Sequence, residues 1–132
     1  MAKVVTEMSG QENMKFIYWH VEITRWVDGD TFNALMDLGM DVLRKAQFRC
    51  ANHDTPERGD MFYNEATDYA RLLTSDGIDH IQTFKDKTGK YGRFIATITL
   101  KDGRELSAVM IDKGLARQYS GGKRDPWPKR DP

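Results

Sequence analysis

Two short runs carry most of the chemistry legible in this chain: Val27-Asp28-Gly29-Asp30-Thr31 and Asp54-Thr55-Pro56-Glu57. Each sets carboxylates in a turn-forming segment, where acidic side chains can converge on a hard cation. Arg49 stands five residues before the second run, and Arg93 closes a third, Tyr91-Gly92-Arg93. Aspartates for a cation, a further glutamate to take a proton and guanidinium groups to hold a phosphate are the set that a metal-dependent phosphodiesterase needs. Guanidinium suits the task because it is planar, permanently protonated and able to pair with two phosphate oxygens at once. Taken singly, each run has a structural reading. Asp-Gly-Asp is a common turn, Asp-Thr-Pro-Glu can start a helix, Arg49 can be a surface strand residue and Arg93 an ion-pair partner. Their joint occurrence in this order favours the chemistry.

The elements that must position these residues follow from hydrophobic periodicity. Ile17, Trp19, Val21 and Ile23 alternate with mostly polar neighbours, as in a half-buried strand, and Phe32, Ala34, Met36 and Leu38 repeat the two-residue period after the Asp28-Gly29-Asp30 turn. A third strand, from Val42 to about Asn52, sets Ala46, Phe48 and Cys50 on one face and Gln47, Arg49 and Ala51 on the other, which leaves the Arg49 guanidinium free of the core. Ala66, Tyr69, Ala70 and Leu73 recur at helical spacing before Gly77. Strands near 79–84 and 93–100 follow, joined by the loop 86–92, and a short helix around Leu106, Val109 and Met110 ends at Gly114. This order predicts a mainly β, α+β fold: an OB-fold five-stranded Greek-key β-barrel with two helices. Residues 15–119 form the domain, 1–14 a flexible arm in which Met14 is a candidate internal start, and 120–132 an irregular tail with two glycines and three prolines.

Composition bounds the partners. A chain of 132 residues suits one domain, and its 20 Lys and Arg balance 20 Asp and Glu. Polyanion binding must therefore come from local clustering of basic residues. The single cysteine, Cys50, excludes an internal disulfide and reads as core filling. No apolar run has the length of a signal-peptide core or a membrane span, so a cytoplasmic protein with no membrane partner is expected. His20 and His80 read as ordinary strand residues, and Tyr119 and Trp127 as edge-of-core aromatics with the capacity to stack on bases.

Taken together, the two acidic runs, Phe48-Arg49, the stretch from Asp86 to Lys90-Tyr91-Gly92-Arg93, and Asp112-Lys113-Gly114-Leu115-Ala116 resemble the staphylococcal nuclease (thermonuclease) family over roughly residues 16 to 119. The resemblance implies that Asp30, Asp54 and the backbone carbonyl of Thr55 bind calcium, with Asp28 supporting the ion from just beyond its direct ligands. It implies that Glu57 activates the attacking water, that Arg49 and Arg93 bind the scissile phosphate, and that Lys90 and Tyr91 contact the terminal phosphate or sugar. Two carboxylates, a carbonyl and waters suit calcium, which takes oxygen ligands in irregular geometry. The implied activity is that of a monomeric calcium-dependent endonuclease on DNA and/or RNA, with little sequence preference and with phosphate left on the 3′ side. The alternative is a catalytically idle nucleic-acid or protein-binding module, although such relatives lack parts of the acid and arginine set that is intact here. One departure is polar: Asn52-His53 precede Asp54 where the family usually has apolar residues, and His53 is the nearest alternative base.

Overall fold

A computed structural model describes residues 16–84, 94–119 and 122–129. Lys90, Tyr91 and Arg93, and with them the 86–92 loop, lie outside the described residues, as do residues 1–15. The elements in chain order are β1 (Phe16–Tyr18), β2 (Val21–Asp28), β3 (Thr31–Asp37), β4 (Leu43–Cys50), β5 (His53–Asp54), α1 (Tyr63–Leu73), β6 (His80–Phe84), β7 (Phe94–Thr99), α2 (Leu106–Asp112) and β8 (Arg117–Gln118).

Six strands form one mixed sheet in the order β1-β6-β7-β4-β3-β2, while β5 and β8 pair separately. The β4–β7 pair is parallel; the other pairs are antiparallel. The expected first strand is broken by a bend at Trp19 and His20 into β1 and β2, which occupy opposite edges of the sheet. Because two residues link those edges, the sheet has to curl toward itself. No ladder joins β1 to β2, however, so the result is a curled six-stranded sheet in place of the closed five-stranded Greek-key barrel expected. The pair β5–β8 was not foreseen, since strands of two residues carry no periodic signal.

The alternation read from the sequence does define the core. Trp26, Phe32, Ala34, Met36, Phe48, Cys50, Ala96 and Ile98 are buried on the inner face. Phe32 and Phe48 are register partners with stacked rings 5.2 Å apart, and Trp26 packs on Phe32 at 5.1 Å. Helix α1 lays Ala66 and Ala70 against this face, small residues that allow close approach to β2. The Trp26 indole N–H donates to Thr74 Oγ1 at the end of α1, so the polar tip of a core aromatic is satisfied by the helix that covers it. Gly114, in the left-handed region at φ 83°, ends the α2 segment as expected. The sheet thus holds the β2–β3 turn, the end of β4 and the segment after it at one end of the core. No helix among the described residues is long and apolar enough to cross a membrane.

Candidate active site

The first acidic run is the β2–β3 turn, closed by the pairing of Asp28 with Thr31. The Asp30 N–H donates to Asp28 Oδ1 at 3.1 Å, which folds the two acids toward each other. Asp30 is 2% exposed; its Oδ1 accepts from the Thr31 hydroxyl and its Oδ2 from the Thr55 N–H at 3.1 Å. The second acidic run is therefore tied to the first through the Asp30 carboxylate. Gly29 makes this approach possible: a Cβ there would lie 2.8 Å from Thr55 Cγ2 and 3.0 Å from Thr55 Cβ, with no flexible tip to give way.

His53, fully buried, locks the same junction. Its Nε2 lies 2.9 Å from the Gly29 carbonyl and its Nδ1 2.6 Å from Ser107 Oγ on α2. A carbonyl can only accept, so Nε2 carries the proton, and burial holds the ring's pKa below its ordinary value. The neutral Nδ1 then accepts from the Ser107 hydroxyl. With both nitrogens engaged, His53 is a structural clamp and has no nitrogen free to take a proton from water. Its polar neighbour Asn52 likewise reaches the start of α2, donating to Glu105 Oε1 at 2.7 Å.

Arg49 leaves the core face of β4 as expected, but its side chain is only 15% exposed. Nη1 sits 3.4 Å from Asp30 Oδ2 and Nη2 3.7 Å from Asp54 Oδ1, while the guanidinium lies over the Tyr119 ring at 5.0 Å. Two of the expected acids thus flank one arginine. Burial, and then the hydrogen bond to Asp30 and its charge, push the Asp28 carboxyl up to about 7. For Asp30 burial acts upward too, but the Asp28 hydrogen bond, Arg49, the Thr55 N–H and Arg124 together bring it down to about 2. The two neighbours are pushed in opposite directions, so the shared proton favours Asp28 and the charge Asp30.

The tail completes the site in a way the sequence did not disclose. Residues 122–129 form a strap without regular structure that runs back across the two acidic runs. Arg117 of β8 stacks on Trp127 at 3.8 Å and donates to the carbonyls of Asp125 and Pro126. The Met61 N–H donates to the Pro128 carbonyl, and Lys129 Nζ pairs with Asp60 at 2.6 Å. The Trp127 N–H donates to Asp54 Oδ2 at 3.2 Å. Between these anchors the Arg124 guanidinium enters the site: Nη2 contacts Asp54 Oδ1, lies 3.1 Å from the Thr55 carbonyl and 3.5 Å from Asp30 Oδ2, and Nη1 lies 2.7 Å from the exposed Glu57 carboxylate. Nothing periodic marks Arg124; the only trace in the sequence is the basic pair Lys123-Arg124 in a proline-bearing segment.

Asp30, Arg49, Asp54, Thr55 and Glu57 are therefore gathered in one place, with Asp28 behind Asp30, whereas Lys90, Tyr91 and Arg93 lie outside the described residues. Among the described residues no three His, Cys, Asp or Glu side chains are clustered as a metal site. The convergent donors are two carboxylates and one backbone carbonyl, all hard oxygens of the kind calcium takes. Asp54 Oδ1 is buried, with the guanidinium nitrogens of Arg49 and Arg124 beside it. An oxygen so placed fits a cation better than it fits a neutral donor.

A family model described as staphylococcal nuclease homologue matches residues 47–131, nearly two-thirds of the chain. The matched stretch includes Arg49, Asp54, Thr55, Glu57 and the strap; Asp28 and Asp30 precede it. A search of curated proteins gave no match.

Two consequences can be measured. Ser107→Ala deprives a buried imidazole nitrogen of its donor and is expected to cost about 1–3 kcal/mol of stability in denaturant unfolding, with His53→Ala costing more because Gly29 also loses its partner; neutral effects would remove the clamp. The second concerns Asp60, whose carboxyl is held below its ordinary 3.8 by the Lys129 ammonium and then by the Glu57 N–H. The contribution of this pair to strap docking is fully present above pH 3.8 and is lost as pH falls through the lowered value. Acid titration of Trp127 fluorescence is expected to show that loss in the wild type and a smaller one in Asp60→Asn.

Proposed function

Because the chain belongs to the staphylococcal nuclease family, we propose that it is a calcium-dependent endonuclease that hydrolyses phosphodiester bonds of DNA or RNA with little sequence preference, leaving 3′-phosphate ends. The observation that carries this reading is the convergence of Asp30 Oδ2, Asp54 Oδ1 and the Thr55 carbonyl on a single cationic nitrogen, with Glu57 beside it. When bound there, held by Asp30, Asp54 and Thr55, calcium supplies positive charge that offsets the phosphate's own.

The chain's residues do the rest. Glu57, exposed at the rim, takes the proton of the attacking water as its oxygen bonds to phosphorus. The bond from phosphorus to the 5′ oxygen breaks, and solvent protonates the leaving oxygen. Arg49, held in place by Asp30, Asp54 and the Tyr119 ring, offers a planar guanidinium to the charge gathering on the equatorial oxygens. Arg93 is the second clamp in this proposal, and Lys90 and Tyr91 the contacts to the terminal phosphate or sugar. A chain with no net charge needs local basic clustering to capture a polyanion. A groove of about 350 Å³ between β2 and α1 is one candidate, lined by Arg25, Arg58 and an Arg71 that is paired with Asp68, and reaching Val27 beside the acidic turn.

A second reading, a catalytically idle nucleic-acid or protein-binding module, is favoured by one observation: guanidinium groups already engage Asp30, Asp54 and Glu57. Digestion of labelled single- and double-stranded DNA and of RNA, with calcium and then with chelator, separates the two. Calcium-dependent cleavage is expected, and Glu57→Gln should keep calcium binding while losing about a hundredfold to ten-thousandfold in rate, with a flattened acid limb of the pH profile. Arg49→Lys should lower turnover more than affinity. Nucleic-acid binding without cleavage would select the idle module.

A further inference from the structure

The oxygens that a calcium-dependent reaction requires are held by a cation belonging to the chain itself. Arg124 touches Asp54 Oδ1, the Thr55 carbonyl and Asp30 Oδ2 through one nitrogen and Glu57 through another. We propose that the strap 122–129 is an autoinhibitory plug, and that Arg124 is a tethered counter-cation which a divalent ion has to displace before the site can work. This rests on the calcium-dependent reading of the same site.

Geometry makes the two cations mutually exclusive. Calcium sits about 2.3–2.6 Å from each oxygen ligand, and Arg124 Nη2 already lies within 3.5 Å of all three oxygens. The plug also covers the working groups. Glu57, the proton acceptor, is paired with Nη1, and Asp54 has its second oxygen taken by the Trp127 N–H.

The strap delivers Arg124 without depending on it. The Tyr119 hydroxyl donates to the Gly122 carbonyl at 2.6 Å before it, and the Arg117–Trp127 stack and the Lys129–Asp60 pair hold the chain after it. A cation tethered at both ends has a high effective concentration at its site, so it competes well with a free ion of greater charge. Among the described residues it does not neutralise the site, because the three carboxylates of Asp30, Asp54 and Glu57 are ion-paired there with two guanidinium groups, those of Arg49 and Arg124. A divalent ion in place of Arg124 removes that residual negative charge, which gives the exchange its direction.

The test is calcium titration calorimetry on wild type, Arg124→Ala and Arg124→Gln, with amide hydrogen exchange across the strap. If the plug lowers the fraction of competent sites, both variants are expected to bind calcium about tenfold or more tighter than wild type. In wild type, calcium is expected to raise exchange in residues 122–129. Equal calcium affinity in all three proteins, or strap exchange in wild type unchanged at saturating calcium, overturns the plug and leaves the calcium site standing. Absence of calcium binding from all three overturns both. Arg124→Gln keeps a donor for the Thr55 carbonyl, so the comparison survives a folding defect in Arg124→Ala.

Discussion

Asp30 and Asp54 are almost wholly withdrawn from water, and two ionised carboxylates so buried require positive charge between them. Much else at this end of the molecule follows from that requirement. The Asp28 carboxyl is pushed upward toward its uncharged form, Arg49 is drawn in from the surface of β4, and Arg124 is brought back from the tail. Removing either arginine leaves a buried charge uncompensated, and adding a metal ion introduces a competitor for the same oxygens. Catalytic potential and control of it therefore reside in one electrostatic problem.

The scaffold solves the companion problem of bringing the carboxylates close enough. The curled sheet places the β2–β3 turn beside the end of β4, and His53 then fastens that turn to α2 through two hydrogen bonds. Gly29 removes the side chain that would hold Thr55 away. The short β5–β8 pair has a different part: by setting Arg117 opposite Asp54 it gives the returning strap a surface to stack on. The polar residues Asn52 and His53 thus serve packing between loop and helix.

Legibility in the sequence followed the physics of each signal. Alternation over several residues exposed the long strands and the core residues Phe32, Phe48 and Ile98, because burial of one face imposes a period of two. The acidic runs were legible because turns that gather carboxylates use few residue types in fixed order. The bend at Trp19 and His20 was not, since pairing to opposite sheet edges is decided by the tertiary fold and leaves the alternation intact. Arg124 was hidden for a similar reason: its partners lie 67 to 94 residues away through contacts that no local pattern encodes. His53 drew notice as a departure, but only its two buried partners identify it as a clamp.

The central claim is that one position, bounded by Asp30, Asp54 and the Thr55 carbonyl, is built for a cation and is shared between Arg124 and a divalent ion. A crystal structure of the wild-type protein grown in calcium tests it most directly, with the ion identified by anomalous scattering. Calcium is expected on those three oxygens, with Arg124 withdrawn from them. Arg124 still seated on Asp54 and Thr55, with calcium bound elsewhere or nowhere, would contradict it.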